Sequence, residues 1–112
     1  MSQSPEAVET AVAAQSLLGS QPLTFLFLSD NKSTKSEKKP LSPPSGTKSI
    51  FIALQGFNMG YTDDDYELQA LQVDLSVSHT DKSALCIATL RDRNENLRRW
   101  QGTITALVTF FG

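Results

Sequence analysis

Two stretches of this chain alternate apolar and polar residues with a period of two. Leu71, Val73, Leu75 and Val77 interleave with Gln72, Asp74, Ser76 and Ser78. Trp100, Ile104, Ala106, Val108 and Phe110 share one parity, opposite Gln101, Thr103, Thr105 and Thr109. Successive side chains of a strand project to opposite sides, so this pattern dictates half-buried antiparallel strands. Strand-like runs also cover 49–54 and 83–90, and the alternating runs extend over 68–77 and 100–111.

At 112 residues the chain has room for one core. A sheet must bury its apolar face against a second sheet, a helix or another subunit. Leu23-Thr-Phe-Leu-Phe-Leu28 offers a fifth strand, and its near-continuous apolarity implies burial on both faces. Ahead of it the residues spell a short helix. Ser4 caps, Pro5 takes the favoured first position, Glu6 complements the helix dipole, and Gly19 with Pro22 stop the run 6–18. The chain therefore divides into 1–22, an N-terminal helix or leader, and 23–112, an antiparallel sandwich. Residues 30–48 are rich in Lys, Ser and Pro with almost nothing to bury, which reads as a long exposed loop. Gly56 and Gly60 flank Phe57-Asn58-Met59 and point to a bulge or tight corner after 49–54. The closing strand, ending Phe110-Phe111-Gly112, has to lie centrally or against another subunit, because an exposed apolar edge invites aggregation.

The formal net charge of −2 gives no global reason to expect nucleic acid or an anionic membrane as partner. Locally the charge is uneven. Five lysines against Asp30 and Glu37 make 30–48 basic, while eight acids against five basic residues make the chain from Ser49 onwards acidic. A solvated linker explains the lysines, since no aromatic residue is interleaved with them as single-stranded nucleic acid would require. No run approaches the roughly 20 apolar residues of a membrane helix, and the N-terminus has no basic region of a secretory signal. A soluble protein without membrane insertion or signal peptide is expected, its compartment left open.

The residues of catalysis are scarce. Cys86 alternates with Ala84 and Ala88, as a small buried hydrophobe would, and the single histidine, His79, falls in a polar turn. One His and one Cys do not make a zinc site of the usual types. The glycines at 56 and 60 do not lead into a Lys-Ser/Thr phosphate loop, and no serine elbow is present. The acidic run Asp63-Asp64-Asp65 lacks the spacing of a calcium loop. A non-enzyme with no metal and no cofactor is expected. The polar concentration is instead at 91–99, where four arginines, two acids and two asparagines lie in nine residues. This is either a solvated hairpin or a recognition edge, since Arg and Asn supply forked donors and amides for sugar hydroxyls or carboxylates.

The order of these features resembles the H-type lectin domain, the small sandwich of snail agglutinins and discoidins. The resemblance runs from 22 to 111. It rests on Leu23-Thr24-Phe25, on Pro43-Pro44 leading to Ile50-Phe51-Ile52-Ala53-Leu54, on Gly56-Phe57-Asn58, and on Leu75-Ser76-Val77-Ser78. It implies an all-β fold, an antiparallel β-sandwich of about six strands, associating as a trimer or hexamer. It also implies a glycan ligand of the N-acetylgalactosamine kind, held between subunits beside the loop after the penultimate strand. Where that family has an aromatic-His-Asn-like triplet after a threonine, this chain has Leu90-Arg91-Asp92 after Thr89. The carbohydrate-binding residues expected on this basis are Arg91, Asp92 and Asn94, with Tyr61 and Asp65 from across an interface. The other expectation is a structural or assembly subunit, such as a phage or tail-like particle tip or spike component, which binds no ligand.

Overall fold

The computed structural model describes residues 16–30, 32–62, 68–92 and 99–112. Six strands run in order: β1 Leu17–Asp30, β2 Thr34–Pro40, β3 Ser49–Tyr61, β4 Leu68–Ser78, β5 Ser83–Asp92 and β6 Trp100–Phe111. They form two antiparallel three-stranded sheets, ordered β1-β6-β3 and β2-β5-β4. The chain changes sheet at every connection except the β4–β5 hairpin, whose turn at 79–82 contains the exposed His79. The architecture is all-β and sandwich-like, as the alternation requires.

The core lies between the two central strands. Trp100, Ile104, Ala106, Val108 and Phe110 of β6 are buried, as are Ala84, Cys86, Ala88 and Leu90 of β5. Leu23, Phe25 and Phe27 of β1, with Leu41 after β2, complete the cluster. Bulk on β6 and β1 is matched by small side chains on β5, which lets the two apolar layers approach closely. Each large side chain buried in this way stabilises the fold by about 1.5–3 kcal/mol. The last strand is the central strand of its sheet, paired with β1 on one side and β3 on the other. Its apolar ending is thereby accounted for within one chain.

Four expectations need correction. β1 begins at Leu17, so the boundary at 22/23 moves back and Leu17–Pro22 is strand. Pairing of Leu17–Pro22 with Leu107–Phe111 outweighs the local helix-stop signals, and Pro22 is tolerated because β1 is an edge strand. The rest of the proposed helix lies outside the described residues. Second, burial of 23–28 is one-sided: Leu23, Phe25 and Phe27 face the core while Thr24, Leu26 and Leu28 are exposed.

Third, 30–48 is not one loop. β2 occupies its middle, paired with β5 from Thr34↔Thr89 to Pro40↔Ser83. Lys35, Glu37 and Lys39 stand opposite Ala88, Cys86 and Ala84, so their aliphatic stems cover the small residues of β5 while the charged ends of Glu37 and Lys39 reach the rim. A Glu37–Lys39 ion pair of 3.1 Å sits there. A strand this polar has no apolar periodicity to betray it. Its charges and Pro40 also protect a sheet edge from pairing with other chains.

Fourth, 56–61 is not a corner but the second half of β3. The register slips once, between Leu54 and Gly56, and the strand then runs on to Tyr61 opposite Trp100. The glycines announce the bulge, and the pairing with β6 carries the strand through it.

Candidate functional site

β1 and β3 end, and β2, β4 and β6 begin, at one end of the sandwich, where Tyr61 and Arg91 of the expected ligand-binding residues lie. Tyr61 closes β3 on one sheet, while Arg91 and Asp92 close β5 on the other. Arg91 is exposed and pairs with Ala70 of β4. Because its neighbour Leu90 faces the core, Arg91 points to the outer face of the second sheet. Asn94 and Asp65 lie outside the described residues, as does most of the Arg-rich edge. Among the described residues, no three His, Cys, Asp or Glu side chains converge as metal ligands.

Trp100 is not an open stacking platform. It is fully buried, and its indole Nε1–H donates to the carbonyls of Lys32 (2.8 Å) and Ser33 (3.2 Å). Phe27 packs against it with ring centroids 5.7 Å apart. The Lys35 ammonium lies 4.1 Å from its ring centroid and donates to the Leu28 carbonyl at 2.8 Å and to the carbonyl of Trp100 itself. Burial lowers the Lys35 pKa below the ordinary lysine value, and the Asp30 carboxylate opposes that shift. Lys35 and Trp100 thus lock the end of β1 to the starts of β2 and β6 and brace the region beneath the site.

A concavity at this end lies across the β1-β6-β3 sheet. It is a shallow depression of about 390 Å³. Gln101 and Thr103 of β6 occupy its middle, Leu26 and Leu28 of β1 one wall, and Asn58 and Gly60 of β3 the other. Gly60 leaves it open: a Cβ there would meet no atom within 4 Å. Gly102 allows the strands to close beneath it, since a Cβ there would fall 2.6 Å from the Asn58 carbonyl oxygen and 2.9 Å from the Met59 Cα. Tyr61 contributes at the end of the depression, the one expected residue among those described that belongs to it. Arg91 does not, because it faces away on the opposite sheet.

The lining is chemically specific. Among the described residues, two amides and the Thr103 hydroxyl supply donors and acceptors, leucines with Phe27 and Tyr61 supply apolar contact, and no carboxylate, histidine, cysteine or lysine is included. Such a lining can offer hydrogen bonds and apolar contact to a hydroxyl- or amide-bearing molecule. Sequence reasoning passed over Gln101 and Thr103, which read as the polar parity of an ordinary strand, and over Asn58, which fell in the expected bulge or corner. Only the pairings Asn58↔Thr103 and Gly60↔Gln101 bring them together.

Cys86 is buried and carries no sign of nucleophilic activation. Desolvation, helped by the nearby Glu37 and Asp74 carboxylates, pushes its thiol from 9.0 to about 11. Comparison with family models, with curated proteins and with solved structures gives no match for this chain.

Proposed function

We propose that the protein is a non-catalytic, homo-oligomeric binding module that holds a carbohydrate in the depression formed by Leu26, Leu28, Asn58, Gly60, Gln101 and Thr103. The observation that carries this reading is the lining itself, with amides and a hydroxyl beside leucines and, among the described residues, no carboxylate, histidine, cysteine or lysine. Sugar hydroxyls need convergent donors and acceptors, and the less polar faces of a sugar need an apolar wall. An N-acetylgalactosamine-like sugar, the class suggested by the H-type lectin resemblance, adds an acetamide that matches the Asn58 and Gln101 amides. Single sites this shallow bind weakly, so several copies in one oligomer would supply useful avidity. A second reading, an assembly subunit without ligand, draws on the exposed Phe51, Leu54 and Phe57 of β3.

Glycan-array binding of the full chain and of three variants separates the two readings. The carbohydrate reading expects sugar hits that fall at least tenfold in Asn58→Ala and Gly60→Trp, and that persist in Arg91→Ala. A folded wild-type protein with no hits would leave the assembly reading. Loss in Arg91→Ala with retention in Gly60→Trp would move the site to the 91–99 edge.

A further inference from the structure

We propose that the β3–β4 side of the sandwich is the surface through which copies of this chain meet. This rests on the oligomeric part of the reading above but is independent of whether a sugar binds.

The two long sides of the sandwich are built differently. On the β1–β2 side, the core-facing residues Leu23, Phe25 and Phe27 are sealed, and β2 presents Lys35, Glu37, Lys38, Lys39 and Pro40 at the edge. On the β3–β4 side the core runs out into the open. Leu54 and Phe57 stand opposite Ala106 and Ile104, both fully buried, and so share the core-facing side of their sheet. They are nevertheless 46% and 52% exposed. Leu71, across on β4 and opposite the buried Leu90, is 39% exposed. Phe51 adds an exposed ring on the outer face of β3, edge-on to Phe111.

Among the described residues β3 is also an edge with no strand paired on its outer side. Its thirteen residues, Ser49–Tyr61, include no charged residue and no proline. Its single bulge is the only device of edge protection it carries, whereas natural edge strands are usually blunted by lysines or prolines. Charge identifies the occupant. In a symmetric homo-oligomer, residues next to the rotation axis meet their own copies, so a charge there is set against a like charge. An edge with no charge over thirteen residues meets itself without that cost. The lysine-bearing β2 edge does not, and β1, uncharged from Leu17 to Ser29, is blunted by Pro22, so the copies meet through β3.

Sedimentation velocity on the full chain, without sugar, tests the assignment. The wild type is expected to sediment as a multiple of the 12.3 kDa chain. Leu54→Glu and Phe57→Glu are expected to shift it to the single-chain mass with unchanged far-UV circular dichroism, and Lys38→Glu on the opposite side is expected to leave it oligomeric. A monomeric wild type at all concentrations would overturn the proposal, as would a folded Phe57→Glu protein that stays oligomeric. If the glutamate variants lose their fold, Phe57→Cys in a Cys86→Ala background takes their place. Oxidation is then expected to give a covalent dimer on a non-reducing gel, and a monomer band alone would overturn the assignment. A glycan array without hits beside an intact oligomer would dismiss the sugar site and leave this interface standing.

Discussion

The ammonium of Lys35 rests 4.1 Å from the centre of the Trp100 ring, and its hydrogen bonds end on the Leu28 and Trp100 carbonyls. One residue comes from an edge strand of one sheet and the other from the first position of the central strand of the other sheet. The pair therefore ties the sheets together at the end of the sandwich that carries the depression. Lys35→Met keeps the aliphatic stem but strips both carbonyls of their donor. It is expected to destabilise the protein by about 1–2 kcal/mol in urea unfolding. A double-mutant cycle with Trp100→Leu is expected to show a coupling of about 0.5–2 kcal/mol. Strict additivity would show that the lysine acts through its backbone bonds alone.

Gly102 is required by close approach, not by an unusual backbone angle. A methyl group there would press on the Asn58 carbonyl and the Met59 backbone, neither of which can move without shifting β3. Gly102→Ala is expected to cost about 1–3 kcal/mol of stability. Gly60→Ala, placed in open space on the same strand pair, is expected to cost far less. Equal losses in thermal unfolding would contradict this difference between the two glycines.

Cys86 gives the protein a predictable alkaline weakness. Unfolded, the thiol loses its proton near 9.0, whereas in the fold it holds it to about 11. Between these values the folded state binds more protons than the unfolded state, so stability falls as pH rises through that window. Urea midpoints are expected to drop between pH 8.5 and pH 10.5 in the wild type and to drop less in Cys86→Ala. The native thiol is expected to react slowly with a disulfide reagent at pH 8 and at the normal rate once unfolded. Fast labelling of the native protein would mean that the β5 face is open to solvent.

The alternation at 71–78 and 100–110 determined by itself which residues of β4 and β6 face the core, because strand geometry leaves only two faces to choose between. The burial of Cys86 and the exposed turn at His79 follow from the same local pattern. The apolar run to Phe111 demanded cover, and it was legible that this strand sits centrally or against another subunit. The tertiary structure decided what local pattern does not encode. It made 34–40 a strand, because the small residues of β5 leave room for lysine and glutamate stems. It made 17–22 a strand by pairing it with the end of β6. It placed Tyr61 in the depression and Arg91 on the opposite outer face. It also assembled Asn58, Gly60, Gln101 and Thr103 from strands some forty residues apart in the chain. Periodicity reports the environment of one strand; which strands become neighbours depends on long-range pairing, and both the depression and the bare edge of β3 arise from it.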